Sequence, residues 1–276
     1  MDMKQMELFP EYADPRHPES VSWNLWHGCS RVSEGCRHCY MFRRDEAVGR
    51  DPTAVRRTES FTLPVRVLRA GEYRGRYRVP SGSCFYTCFS SDFFHPAADG
   101  WRQEAWNMMR ARADCSFFMI TKRPERIADT LPADWGDGWD HVTIAVTCEN
   151  QGMADRRLPV YLALPLPHRS VMIEPMLSRV DLRPFLKTGL IESVSVGGES
   201  GPDARTCDYD WVLDVRRQCV EFGVGFSYHQ TGARLLKDGR LYEIPRNRQH
   251  EQAKRAGLDI PGTLPRRPTH GDIPGG

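Results

Sequence analysis

Six times along this chain a short apolar run ends in a knot of polar residues. The runs recur at roughly the length of a strand–helix unit, 25–30 residues. Cys84–Phe89 leads into Ser90, Ser91 and Asp92. Ser116–Ile120 leads into Thr121, Lys122 and Arg123, and His141–Val146 into Thr147, Cys148, Glu149 and Asn150. Arg169–Ile173 ends at Glu174-Pro175, Ile191–Val196 at Gly197-Gly198-Glu199-Ser200, and Val224–Tyr228 at His229, Gln230 and Thr231. A seventh run, Ser22–Trp26, opens the series. Short runs without long alternation suit strands buried on both faces. Helical spacing fills most of the gaps: Trp101, Ala105, Met108 and Met109 within Asp99–Ala113, and Trp211, Val212, Val215 and Cys219 within Asp208–Phe222. Asp208 reads as the cap of the second helix and Gly223 as its stop. Parallel strands joined by right-handed helical crossovers follow. The expected fold is α/β, a partial (β/α)6-type parallel barrel, in one domain over residues 1–260. The Pro-, Gly- and Arg-rich tail 261–276 is expected to be disordered.

Nine cysteines, an odd number in a chain of 276 residues, argue against a disulfide framework. Three of them, Cys29, Cys36 and Cys39, lie on one short Gly-flanked segment directly after the first strand. Thiolates suit iron–sulfur clusters and zinc. Three ligands on a four-iron cubane leave one iron open for chemistry; the other reading is a closed zinc site with His27 or His38 as fourth ligand. In barrels of parallel strands ligands sit at the carboxyl ends. The cysteine segment and every polar knot fall there, so Ser90, Asp92, Lys122, Glu149, Glu174, Glu199 and Gln230 are expected to face one cavity with it. Several rim acids together point to a charged or hydrogen-bonding partner. The other six cysteines read as buried and inert, Cys148 in its rim knot being the exception to watch.

A net charge of +2 gives no global field for nucleic acid or acidic membranes. No apolar run is long enough to span a bilayer. The first residues show no basic leader with an apolar core, so a cytoplasmic protein is expected. Arg66–Pro80 is basic and Gly-broken. It reads as an excursion between the first two units: a solvated edge hairpin, or a contact to phosphate or nucleic acid.

The motif Trp-Asn-x-x-x-Gly-Cys-x-x-Val-Ser-x-Gly-Cys-x-x-Cys-Tyr over Trp23–Tyr40 resembles the opening of a phage- and bacteria-encoded family labelled "phage protein" of unknown function. Ser91-Asp92-Phe-Phe-His95, Thr121-Lys-Arg-Pro124, Glu174-Pro175, Gly197-Gly-Glu-Ser-Gly201 and His229-Gln-Thr-Gly232 extend the match from Trp23 to Ile260. That family looks like an outlying branch of the radical S-adenosylmethionine (SAM) enzymes. Their usual spacing is Cys-x3-Cys-x2-Cys; here the first gap is six residues. The resemblance implies a [4Fe–4S] cluster on Cys29, Cys36 and Cys39, with SAM bound across the rim. His38 would lie near the adenine. Ser90, Ser91, Thr121 and Glu149 would serve the polar parts of SAM, and Lys122 its carboxylate. It also implies a reductant protein such as flavodoxin or ferredoxin.

The ending His229-Gln-Thr-Gly…Lys237-Asp-Gly-Arg-Leu-Tyr-Glu-Ile-Pro245 is similar to bacterial queuine lyases. The specific expectation is therefore a radical SAM lyase of queuosine salvage acting on a 7-deazaguanine-type base. Glu174 and Glu199 are its expected catalytic carboxylates, with Asp92, His229 and Gln230 as further substrate contacts. Two alternatives stand beside it: a radical SAM enzyme acting on a nucleotide or nucleic acid, and a zinc-stabilised nucleic-acid-binding phage accessory protein. The footprint of the second would be the aromatic-interleaved stretch Arg74–Arg78.

Overall fold

The computed structural model describes Asp14 and residues 16–262. The expected disordered tail lies almost wholly outside the described residues. Seven strands form one sheet: β1 (Ser20–Trp23), β2 (Cys84–Thr87), β3 (Ser116–Thr121), β4 (Val142–Thr147), β5 (Arg169–Ile173), β6 (Ser193–Gly197) and β7 (Gly225–Gln230). All neighbours are parallel, and the order across the sheet is the order along the chain. Each strand is thus added on the same side of the last. That winding curls the sheet into an open half-barrel of seven strands.

The middle of the sheet is apolar because it is covered on both faces; every residue of β4 is buried. Phe85 and Phe117, directly opposite in register, stack at 4.9 Å, with Trp23 edge-on to both. Offset and edge-on aromatic pairs of this kind add about 0.5–1.5 kcal/mol each beyond burial.

Helix α1 (Tyr40–Ala47) follows the cysteine segment. Helix α2 (Asp99–Ala111) links β2 to β3, and α3 (Gln151–Leu162) links β4 to β5, capped by the Asn150 side chain on the Met153 amide. A four-residue helix, α4 (Arg183–Leu186), lies between β5 and β6, and α5 (Tyr209–Glu221) between β6 and β7, capped by Asp208 as expected. After β7 the hairpin β8 (Arg234–Lys237)–β9 (Arg240–Glu243) leads to α6 (Gln249–Arg255).

Two features differ from the expectation. Between β3 and β4 there is no α-helix, only the short turns Pro124–Arg126 and Ala128–Thr130. Pro124 and Pro132 withhold amide donors, and Gly136 and Gly138 take positive φ, so a continuous helix cannot form there. The first strand ends at Trp23, not Trp26. Trp26–His27 instead pairs antiparallel with Arg56–Arg57 and turns the chain out over the rim.

Candidate metal centre

Ser90 and Ser91 follow β2 and brace the start of the cysteine loop. The Ser90 hydroxyl donates to the Trp26 carbonyl (3.1 Å), and the Ser91 hydroxyl to that of Gly28. The Gly28 amide donates to Ser90 O and the Cys29 amide to Pro52 O. Gly28 has φ +97°, and a Cβ there would stand 2.5 Å from the Ala54 carbonyl oxygen. Only glycine passes. Cys36 lies in the short turn Glu34–Cys36, and Cys39 sits just before α1. All three thiols are half-buried and free; the other six cysteines are fully buried.

Three carboxylate–guanidinium pairs fasten this loop. Asp92 accepts from the Arg123 guanidinium (2.9 Å), the Thr121 hydroxyl (2.8 Å) and the amides of Phe94 (2.9 Å) and Lys122 (3.0 Å). Arg123 in turn donates to Ser30 O and Oγ, both at 2.9 Å, and lies 3.9 Å from Cys29 Sγ. His95, the last residue of the Ser91–His95 motif, meets Ser30 Oγ at 3.0 Å. Glu149, wholly buried, accepts from Arg157 (2.7 Å) and from the Gly35 amide (3.2 Å). A Cβ on Gly35 would lie 2.9 Å from the Glu149 carboxyl carbon. Glu199 accepts from the Arg205 side chain and amide and meets His38 Nδ1 at 3.2 Å, while Arg205 also reaches Glu34. Burial alone would raise the carboxyls of Glu149 and Glu199. The facing guanidiniums override it and hold both below the ordinary glutamate range. Burial likewise pushes the Cys29 thiol up to about 11, against the pull of Arg123.

These positions revise the expected roles. Asp92, Thr121, Glu149 and Glu199 stand at the strand ends as anticipated, yet at most 5 % of each is exposed and their polar atoms are taken up by the protein. Ser90 and Ser91 likewise point into the loop. Arg157 and Arg205, which complete two of the pairs, were not among the expected residues. Lys122 carries no ion pair among the described residues. It lines a cleft of about 210 Å³ with Val32, Glu125, Arg156 and Arg157. A larger groove of about 480 Å³ runs beside the loop, lined by Glu34, Asn150, Gln151, Gly152, Leu177, Ser178 and Arg205.

Glu174, His229 and Gln230 are brought together on the other half of the rim. Glu174 directly follows β5, and its partners end β7, so its side chain must cross β6. It does so over Gly197, where a Cβ would stand 2.7 Å from its carboxyl carbon. It accepts from His229 Nδ1 (2.9 Å) and from the Gln230 amide, and Gln230 Oε1 accepts from Arg246 (2.8 Å). His250 Nδ1 stands 3.0 Å from the His229 carbonyl, where it can donate. Burial would raise Glu174 and lower His229, but each holds the other's charge: Glu174 is lowered and His229 raised.

The charged pair is therefore complete between the two unfolded values, about pH 4.5 to 6.5. Its contribution fades as pH rises through the raised His229 value, and again as pH falls through the lowered Glu174 value. Glu174→Gln should move the His229 titration, followed by its ring-proton NMR signals, to lower pH. An unmoved midpoint would mean that the pair does not form in solution.

Do these residues suit an iron–sulfur cluster? By donor chemistry they do. Three half-buried thiols share one clamped loop with a buried guanidinium beside them. A cluster bound by three thiolates would be anionic, and Arg123 would offset that charge. Among the described residues, however, no three or more Cys, His, Asp or Glu side chains stand gathered closely enough to hold a metal ion. The sulfurs have to turn toward one another to do so.

An open parallel half-barrel with a three-thiol loop at its carboxyl rim is the class of protein defined here. The chain belongs to an uncharacterised family, described as a protein of unknown function (DUF5131), whose model matches residues 17–264. No curated protein and no solved structure matches it. Among the described residues no helix is long and apolar enough to cross a membrane.

Proposed function

We propose that this protein is a radical SAM enzyme whose Cys29, Cys36 and Cys39 hold a [4Fe–4S] cluster. One observation carries the reading: the only three cysteines not fully buried share one loop, clamped by three ion pairs, at the ligand-binding end of a parallel half-barrel. When bound, the cluster would supply one electron to cleave the sulfonium bond of SAM. The protein's own part is to hold the loop, bind the reactants and exclude water. Asp92, Glu149 and Glu199 act as positioning residues through their guanidinium partners. Lys122, which carries no ion pair among the described residues, would bind the carboxylate of SAM, and His38, beside Glu199, would serve the adenine. The 480 Å³ groove is of a size for a nucleoside-like molecule.

For the substrate we keep a small nitrogen-rich base of the 7-deazaguanine type, queuine being the specific case, with lyase chemistry. Glu174 supports it. Of the four rim acids it alone pairs with no arginine or lysine among the described residues, so we take it as the carboxylate that would accept N–H bonds from a base edge, beside the His229 and Gln230 side chains it already meets.

Anaerobic reconstitution should load about four irons and four sulfides per chain. Cys29→Ala, Cys36→Ala or Cys39→Ala should each abolish loading, while Cys219→Ala should not. The reduced protein should cleave SAM to 5′-deoxyadenosine and methionine. Stoichiometric zinc in a colourless, active protein would sink the reading. Glu174→Gln should keep iron and slow SAM cleavage but lose turnover of queuine, read by mass spectrometry. A wild type that ignores queuine would remove that substrate and leave the radical chemistry standing.

A further inference from the structure

We propose that the Arg66–Pro80 hairpin is a docking arm for single-stranded nucleic acid, separate from the thiol loop. The segment folds back on itself. Val67 pairs antiparallel with Tyr77, Leu68 N–H donates to Arg76 O, Gly75 N–H to Leu68 O and Arg78 N–H to Arg66 O. Its base is held to the body by Arg112, a fully buried arginine that donates to the carbonyls of Pro64 (2.5 Å) and Val79 (3.0 Å). The arm is therefore anchored, and what it presents is fixed by the fold.

It presents charge. Five arginines, Arg66, Arg69, Arg74, Arg76 and Arg78, stand against one acid, Glu72. The local excess of four positive charges is twice the net charge of the whole chain, which is +2. Arg69, Arg74 and Arg78 are exposed and make no side-chain ion pair among the described residues. Elsewhere some surface arginines, such as Arg57, Arg110, Arg183 and Arg255, are matched by a carboxylate, and others, such as Arg37, Arg56 and Arg248, are not; the arm gathers three unmatched ones between positions 69 and 78. Arg69, Arg74 and Arg78, gathered on an anchored projection, are complementary to a polyanion.

Two aromatic rings select the kind of polyanion. Tyr77 is 38 % exposed with Arg112 over one face at 4.3 Å, and Tyr73 has Arg16 beside it at 5.5 Å. Interleaved arginines and partly exposed rings are the elements of a single-strand surface. The cations follow phosphates and the rings stack on unpaired bases, with little demand for sequence. A duplex offers the phosphates but keeps its bases stacked.

The arm precedes β2, so it sits at the amino ends of the strands, whereas the thiol loop sits at their carboxyl ends. Binding here needs neither iron nor SAM. The inference therefore stands or falls apart from the proposed function.

The test uses the full chain and a fluorescein-labelled 20-nucleotide oligothymidylate, read by anisotropy across a salt series. Arg69→Gln/Arg74→Gln/Arg78→Gln removes three phosphate partners. It should flatten the slope of log affinity against log salt by about two, and weaken binding up to about 100-fold at 0.1 M salt. Circular dichroism and the melting temperature should not change, because these exposed side chains make no hydrogen bond or ion pair among the described residues. As a control, Arg217→Gln/Arg248→Gln/Arg255→Gln removes the same charge from the opposite end of the chain and should leave affinity within about threefold. A 20-base-pair duplex should bind more weakly than the single strand, and single-stranded RNA about as well as DNA. The inference is overturned if the hairpin variant binds like wild type, if the control loses as much, or if the duplex binds more tightly.

Discussion

Arg157→Met should lower stability by about 3–5 kcal/mol, the cost of leaving one member of a buried ion pair alone. Glu149 is wholly buried, and its Oε2 has Arg157 at 2.7 Å. Methionine fills much of the arginine stem but supplies no donor. The carboxylate must then take up a proton or stay charged without compensation, and both are unfavourable at neutral pH. For a chain of this size the loss is a fall of roughly 6–20 °C in melting temperature. The variant tests more than packing, since Glu149 also accepts the Gly35 amide of the cysteine loop. A relaxed Glu149 frees that loop, and iron retention should fall with stability even though no cysteine has changed. In Glu149→Met/Arg157→Met no charge is left stranded. That double variant should recover part of the stability, as replaced buried pairs often do, but not iron retention, because Gly35 still lacks its acceptor. If calorimetry shows less than about 1 kcal/mol for the single variant, in the range of exposed pairs, Glu149 is not the clamp described.

The sheet was legible in the sequence because its strands are covered on both faces and so appear as uninterrupted apolar runs. Their ends were legible for the same reason: at each rim position the run stops and polar atoms begin. What those atoms bind was not. Arg123 pairs with an acid 31 residues away, beyond the end of the neighbouring strand. Arg205 lies past a glycine turn that no periodicity spans, yet it returns to Glu199. Arg157 left a signal. It sits two helical turns after the Asn150 cap, the spacing that brings a side chain back over the start of its own helix and onto Glu149. Acids at a rim were read as open to a ligand. Three of the four are closed by arginines, and the fourth, Glu174, crosses over Gly197 to meet His229 and Gln230 instead.

Asp92→Asn should be nearly as damaging, although it changes a single atom. Asp92 Oδ1 accepts from the Thr121 hydroxyl and the Phe94 amide, and Oδ2 from the Lys122 amide and the Arg123 guanidinium. Every partner is a donor. Whichever way the asparagine amide turns, its NH2 faces two of them. Each buried donor left unmatched costs about 1–3 kcal/mol, and Arg123, only 4 % exposed, loses its counter-charge as well. A total of about 3–5 kcal/mol follows. The consequence for the site runs through Arg123, which holds Ser30 by two bonds and lies beside Cys29. Once it is released, the first thiol loses its neighbour and the loop its inner tether. Asp92→Asn should therefore bind iron poorly after reconstitution with all nine cysteines present, and its melting temperature should fall. Thr121→Ser keeps the hydroxyl and should do neither. The pairing of results separates a positioning role from a ligand contact. If Asp92 touched SAM directly, its loss would spare both iron content and stability and show only in SAM affinity. An Asp92→Asn protein that melts like wild type and fills with iron would refute the assignment of Asp92 to the loop.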